Sequence, residues 1–279
     1  MSNAEQIEYW NSKVGDTWAR MQDRLDLAFT PVTAALLSLA APRAGEDVLD
    51  IGCGTGETTL ALAGAVGEDG SVLGLDISDA LLARARERAE ELLSDAEFRN
   101  ADAARFDAES GFDLLVSRFG IMFFDDPVAA FANLHGLTAP GGRLCFACWQ
   151  PPTENLWATL PMQVLGGLLP PQPEGDPHAP GPFAFADPER VLGILAAAGW
   201  QDVMFHAVPF TMVVGEGADP VAAAVKFNLR IGPAARLVRE AGPEVEAAAP
   251  ALLAEALRPY LKGDSLGLPG AVWLVSARA

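Results

Sequence analysis

Residues 48–56 read Val48-Leu49-Asp50-Ile51-Gly52-Cys53-Gly54-Thr55-Gly56. A short aliphatic run delivers an acid, and three glycines at alternating positions then let the backbone turn tightly and approach a ligand closely. A strand ends here and a helix begins, as at a nucleotide-cofactor turn. Twenty residues past Gly56, the run Val72-Leu73-Gly74-Leu75 ends in Asp76. An acid at the end of a second strand is positioned to accept hydrogen bonds from two ribose hydroxyls. The pair is stronger evidence than either part.

Working outward, Glu46 to Ile51 reads as the first strand and Glu57 to Val66 as the helix after the turn. Ser71 to Asp76 is the second strand, and Ser78 can cap a helix over Ala80 to Leu93. The Arg84, Arg86, Glu87, Arg88, Glu90 and Glu91 cluster on that helix reads as a solvated, self-paired face. Ala96 to Asn100 is the third strand, with Asp102 just past its end, and Phe112 to Ser117 is the fourth. A markedly apolar loop follows from Arg118 to Phe124, and Asp126-Pro127 then starts a helix reaching about Leu137. Pro140-Gly141-Gly142 turns the chain into a fifth strand, Arg143 to Trp149.

Upstream, residues 5–41 read as helical with a break near Gly15, and Trp10, Val14, Trp18, Met21, Leu25 and Phe29 form an apolar stripe. The stripe packs on the sheet as core, or it forms a lid whose Trp18 or Tyr9 touches a bound cofactor. Downstream, residues 150–186 are rich in proline, a composition suited to a shaped loop over a site, with a short helix over Leu160 to Leu169. Helix resumes over Ala186 to Gly199, and Gln201 to Val213 is the sixth strand. Residues 219–262 are mostly helical, divided at Gly232-Pro233, Gly242-Pro243 and Pro250. Ala271 to Ala277 is a last strand running antiparallel to the sixth.

Alternating strands and helices predict an α/β fold: a doubly wound, mostly parallel seven-stranded sheet with an antiparallel last strand, plus helical lid insertions. Such sheets bind ligands at the carboxyl ends of their strands, which would gather Gly52, Asp76, Asp102, Arg118 and Trp149 on one edge.

Composition narrows the function. The 279 residues hold 37 acidic against 19 basic side chains, a formal net charge of −18. Such a field repels a phosphate backbone, so no nucleic-acid partner is expected. Cys53, Cys145 and Cys148 form no even-numbered framework, which fits a reducing compartment. Cys145 and Cys148 are spaced C-x-x-C but lie in a strand-like run, so they read as buried thiols and no metal is expected. The first residues show neither a basic start nor an apolar h-region, and no run approaches the ~20 apolar residues that span a bilayer. A cytoplasmic protein without integral membrane association is the expectation.

Asp50-x-Gly52-x-Gly54-x-Gly56, Asp76, Asp102-Ala103 and Pro140-Gly141-Gly142 together resemble the class I S-adenosylmethionine-dependent methyltransferases, similar to the small-molecule and ubiquinone/menaquinone-biosynthesis branch. The resemblance is firm over roughly residues 46–150 and otherwise topological. It implies an S-adenosyl-L-methionine-binding core at 46–150, an N-terminal helical lid at 1–45, a proline-rich active-site loop at 151–186, and the remaining sheet at 187–279 with a helical insertion at about 214–267. It also implies that Gly52, Cys53, Gly54 and Gly56 lie under the methionine part, with Asp50 near its ammonium group. Asp76 would hold the ribose, Ile77 would pack on the adenine, and Asp102 with the Ala103 N–H would read the adenine edge. Ser117 and Trp18 complete the expected cofactor set.

Phe119, Met122, Phe123, Trp149 and Trp157 suggest an apolar acceptor pocket, suited to an aromatic, quinone-like or prenylated small molecule. Arg118 either holds an oxygenated acceptor or pairs with Asp125. Arg118 and His178 are the candidates for acid–base or polar work. His135 reads as surface, and His206 as core or sheet surface. The expected reaction is methyl transfer to O, C or N. One alternative is an NAD(P)-dependent oxidoreductase, against which Glu57 stands where a third glycine would meet pyrophosphate and Asp50 adds a negative charge. The other is a non-catalytic cofactor-binding protein. Oligomeric state is left open.

Overall fold

A computed structural model describes residues 2–108, 111–170 and 176–279. Pro171 and Pro173 of the proline-rich segment lie outside the described residues.

The chain opens with α1 (Asn3–Trp10), α2 (Lys13–Arg20) and α3 (Gln22–Ala40). Gly15 lies inside α2 rather than at a break; the interruptions fall at Asn11-Ser12 and at Met21. Ser12 caps α2 by accepting from the Val14 N–H, and Gly15 is needed for contact, since a Cβ there would come 2.1 Å from the Trp10 carbonyl oxygen.

Next come β1 (Asp47–Ile51), α4 (Glu57–Val66), β2 (Ser71–Asp76), α5 (Asp79–Leu92), β3 (Glu97–Asn100), β4 (Phe112–Arg118), α6 (Pro127–Gly136) and β5 (Thr138–Trp149). Asp126 caps α6 as expected, accepting from the Ala129 N–H at 3.0 Å. Ser78 does not cap α5: its hydroxyl donates instead to the Trp10 carbonyl at 2.9 Å. Pro140-Gly141-Gly142 falls within β5, where the β4–β5 register shifts between Phe112 and Leu114 and Gly141 takes a φ of 80°. The extra residues are absorbed there as an irregularity of the strand rather than as a separate turn.

After the proline-rich stretch, α7 (Leu156–Leu165) lies four residues earlier in the chain than the apolar run suggested. It is followed by α8 (Pro188–Ala197), β6 (Gln201–Glu216), α9 (Pro220–Asn228), α10 (Pro233–Ala241) and α11 (Pro243–Leu257). Pro250 sits inside α11 and divides nothing. A two-residue strand β7 (Leu261–Lys262) leads into β8 (Ser265–Arg278), which is twice the length anticipated.

The sheet order is β3-β2-β1-β4-β5-β8-β6, with β7 paired to β8. β3, β2, β1, β4 and β5 are parallel neighbours, while β8 runs antiparallel to both β5 and β6. The order reverses direction at β1 and β4, so right-handed crossovers carry α4 and α5 to one face and α6 to the other. α3 packs with α4, and α8 packs with α6, completing the two layers. Strands covered on both faces must be apolar throughout, and Val48, Leu49, Leu114, Leu115, Val116, Leu144 and Phe146 are all fully buried.

Far from the ligand edge, Arg143 clamps the chain where α3 turns into β1. It donates to both Glu46 carboxylate oxygens at 2.8 and 2.9 Å and to the Ala40 and Ala41 carbonyls at 2.9 and 3.0 Å. This pairing holds the Glu46 carboxyl below its ordinary range. Arg143→Ala strips Glu46 Oε1 and the Ala40 and Ala41 carbonyls of this donor, leaves Glu46 Oε2 the Arg43 N–H at 2.9 Å, and should lower the unfolding free energy by about 2–3 kcal/mol. Urea denaturation measures it, and a loss under ~0.5 kcal/mol would show the clamp to be dispensable.

Candidate active site

The glycine turn is held by three left-handed backbones: φ is 67° at Gly52, 56° at Gly54 and 83° at Gly56. Packing alone would demand two of them. A Cβ on Gly52 would lie 2.6 Å from Gly120 Cα, and one on Gly56 would lie 3.0 Å from the Phe98 ring. At Gly54 an added Cβ meets nothing within 4 Å. Gly54 is therefore the point at which the main chain faces open space, and a ligand can approach its backbone.

Asp76 is fixed by the same turn. Its Oδ2 accepts from the Gly54 N–H at 2.8 Å and its Oδ1 from the Ser78 N–H at 2.9 Å. Each carboxylate oxygen keeps a second lone pair for a ligand hydroxyl. Burial raises its pKa, opposed by these backbone donors.

Asp50 is 1% exposed; its Oδ2 accepts from the Thr59 hydroxyl at 2.6 Å, and its Oδ1 is buried with no partner. Burial pushes its pKa up to about 6, against the opposing pull of the Thr59 hydrogen bond and the Arg118 charge. The folded state therefore holds this proton more tightly than the unfolded chain, whose Asp titrates near ~3.9. The destabilisation is absent below pH ~4, grows as pH rises, and is complete above ~6, where it amounts to about 3 kcal/mol. Asp50→Asn should remove that part of the pH dependence; equal slopes for the two proteins between pH 4 and 6 in denaturant titrations would refute the assignment.

Ile77 is half-buried, and its carbonyl accepts from Asn11 Nδ2 at 2.8 Å. Asp102 accepts from Asn3 Nδ2 at 2.7 Å and from the Ala104 N–H at 3.0 Å. Ala103 is 7% exposed. Asn11 also accepts from the Asp79 N–H at 3.0 Å. Thus α1 and the α1–α2 link dock on the loops that close β2 and β3, while α3 packs on the sheet. Trp18 reaches the site only through rings: it meets Trp10 edge-on at 5.3 Å, and Trp10 meets Phe123 at 5.7 Å.

The remaining expected residues have these surroundings. Ser117 is fully buried and donates to the Ile51 carbonyl at 2.7 Å, so its hydroxyl pins β4 to β1. Cys53 is buried, its thiol pushed up by burial, and its N–H donates to the Leu75 carbonyl at 2.9 Å. Met122 is 1% exposed and belongs to the core. Arg118 pairs with Glu57 rather than Asp125, donates to the Thr33 hydroxyl at 2.6 Å and lies 5.4 Å over the Phe29 ring. His178 is exposed, with its backbone N–H on the Asp176 carboxylate. His206 is exposed on β6, and His135 is half-buried edge-on to Trp200. Arg88 leaves the solvated face predicted for α5: it bonds the Asp26 carboxylate at 2.8 Å and the Thr55 carbonyl at 2.8 Å, bracing the glycine turn. Cys145 and Cys148 are free and buried, as read from the strand pattern.

The aromatic side of the site is continuous. Phe119 stacks on Trp149 at 4.4 Å with planes 4° apart, and Trp149 meets Trp157 at 4.7 Å and Phe210 at 6.0 Å. Phe29 closes on Phe119 at 5.2 Å, and Phe183 stacks on Trp157 at 5.9 Å. Phe29 was read only as one residue of the apolar stripe, and Phe183 and Phe210 were not singled out, because the three come from α3, the proline-rich segment and β6, which only the fold brings together. Gly120 was missed too; it lets the post-β4 turn touch Gly52, since its own Cβ would lie 2.6 Å from the Ile51 carbonyl oxygen.

Residues 48–142 match the family model described as a methyltransferase domain. A nocamycin O-methyltransferase from Saccharothrix syringae is 34% identical over 63% of this chain and 66% of its own length. A demethylmenaquinone methyltransferase from Bacillus mycoides is 30% identical over 50% of this chain and 63% of its own. The chain thus spans about three fifths to two thirds of these relatives. The solved magnesium protoporphyrin IX methyltransferase from Synechocystis PCC 6803 with bound SAH superposes with a TM-score of 0.57 at 17% identity, covering 99% of each chain. That likeness is one of fold.

Proposed function

From the premise that residues 48–142 are a class I S-adenosylmethionine-dependent methyltransferase domain, we propose that the chain transfers a methyl group from S-adenosyl-L-methionine to O, C or N of a hydrophobic small molecule. The residues fit the donor chemically. The unpartnered Oδ1 of Asp50 suits a cationic ammonium, the open backbone at Gly54 admits the methionine part, and the free lone pairs of Asp76 suit a ribose diol. A buried acid with a vacant oxygen is a poor neighbour for a pyrophosphate, which weighs against the oxidoreductase reading.

The acceptor reading rests on one observation above others: the aromatic cluster in which Phe119 stacks on the buried Trp149 and Trp157 meets that ring at a tilt of 46°. Flat aromatic walls favour an aromatic, quinone-like or prenylated acceptor, and their faces favour a nearby positive charge. The relatives, an O-methyltransferase and a demethylmenaquinone methyltransferase, support this class.

The bound donor supplies an activated methyl group. The chain's own task is alignment and exclusion of water: Asp76 and Asp50 hold the donor, the aromatic walls present the acceptor, and α1 with α2 covers the edge. Alignment of this kind can lower a barrier by ~7–11 kcal/mol, and a general base is added only where the acceptor must lose a proton. Calorimetry with S-adenosylhomocysteine and with NAD tests the donor. Labelled methyl transfer across phenols, quinones and hydrophobic amines tests the acceptor. Binding of NAD in place of S-adenosylhomocysteine would overturn the donor, and transfer only to polar, charged acceptors would overturn the acceptor class.

A further inference from the structure

Gln6 on α1 is 1% exposed, and neither its Nε2 nor its Oε1 has a hydrogen-bond partner. A buried amide left in that state costs stability, and native folds keep such groups where something else completes them. Its neighbours show where it lies. Asn3, one turn earlier, donates to the Asp102 carboxylate at 2.7 Å; Trp10, one turn later, offers its carbonyl to the Ser78 hydroxyl at 2.9 Å. Residues 3, 6 and 10 share one face of a helix. Asp102 follows β3, Ser78 follows β2, and these strands are adjacent in the sheet. The Gln6 amide is therefore held over the gap between the two loops, against the ligand edge.

Resting on the donor reading above, that gap is the berth of the adenine, with Ile77, Asp102 and Ala103 around it. We propose that Gln6 reads the adenine base, its Oε1 accepting from the exocyclic amine and its Nε2 donating to N7. A primary amide carries a donor and an acceptor side by side, and this is the matching pair that adenine presents along its N6/N7 edge. The second amine hydrogen stays available to Asp102. The cover formed by α1 thereby contributes to base recognition, and the base pocket is incomplete without it. Asn3 serves this arrangement from one turn away by tying α1 to Asp102.

The test compares wild type with Gln6→Leu, a change that keeps the volume and removes both polar atoms, using calorimetry with S-adenosylhomocysteine and with S-inosylhomocysteine, in which oxygen replaces the amine. Gln6→Leu should bind S-adenosylhomocysteine about tenfold more weakly, and the preference for adenine over hypoxanthine should shrink by a similar factor. The ligand-free variant should melt at the same temperature as wild type or higher, because an unpartnered buried amide has been removed. Unchanged affinity with an unchanged base preference overturns the role of Gln6. So does a weaker affinity with unchanged preference and a lower melting temperature, the signature of a structural residue. A wild-type protein that binds neither compound overturns the donor reading itself.

Discussion

Replacing Asp76 with alanine is expected to raise the dissociation constant for S-adenosylhomocysteine by roughly 10²–10³-fold. Two effects combine. The variant loses the two acceptor positions proposed for the ribose diol, each a hydrogen bond to a charged group and worth about 1.5–3 kcal/mol. It also releases the Gly54 and Ser78 N–H groups, bound to the carboxylate at 2.8 and 2.9 Å, so the turn relaxes away from the shape that admits a ligand. Asp76→Asn should lose less, because the amide oxygen still accepts from one of these groups. Calorimetry on all three proteins reads the order directly. An alanine variant within threefold of wild type would remove Asp76 from the site.

Asn155→Leu should cost about 3–5 kcal/mol of folding free energy. Asn155 is fully buried in the loop between β5 and α7, and both ends of its amide are engaged. Its Nδ2 donates to the Gln150, Pro151 and Ala271 carbonyls at 2.9, 3.2 and 3.2 Å; its Oδ1 accepts from the Ala271 N–H at 3.0 Å and from the Trp157 indole N–H at 3.1 Å. A leucine fills the space and strips the Gln150 carbonyl, the Ala271 N–H and the Trp157 indole N–H of this partner, while the Ala271 carbonyl keeps the Gln150 N–H at 3.1 Å and the Pro151 carbonyl keeps the Glu154 N–H at 2.9 Å. Trp157 would lose the bond that fixes its ring against Trp149, so the near-ultraviolet circular dichroism of the folded variant should change as well. A urea midpoint close to wild type would show that water or a rearranged loop satisfies these groups.

The cofactor side of the site was legible in the sequence because its parts are local. Asp50 and Asp76 lie at the ends of β1 and β2, the three glycines and Asp102 follow a strand, and parallel topology carries strand ends to one edge whatever the helices do. Their partners were not legible, since Asn3, Asn11 and Arg88 act across long sequence separations. Ser78 shows the limit well: its position before α5 signals a cap, yet the docking of α1 diverts its hydroxyl to Trp10. On the acceptor side, the apolar loop after β4 announced a pocket, while Phe29 read as one residue of an apolar helix stripe and nothing in the sequence set Phe183 and Phe210 apart. Arg118 was read as facing either an acceptor or Asp125 because nothing in the sequence near it revealed that Glu57, at the start of α4, would face it.

The long pairing of β6 with β8 also bears on how the acceptor could change through evolution. β8 leaves β5 at Val272, opposite Trp149, but continues to pair with β6 from Ala271 through Ser265, so a two-stranded ribbon outruns the sheet at the ligand edge. Phe210, Met212 and Val214 alternate along one strand, and Gly270, Leu268 and Leu266 along the other; Gly270 leaves room for the Phe210 ring, which an added Cβ would approach to 3.1 Å. Met212, Val214, Leu266 and Leu268 are buried in the core, so under the proposed acceptor reading this row backs the Phe210 ring as a set of interchangeable positions on a fixed frame. Point substitutions can resize it one position at a time while the main-chain ladder stays whole. A single-residue insertion would instead turn the inward row to the outside. Lineages derived from this chain should therefore diversify their acceptors by exchange of residues here, and record length changes in the turns at either end.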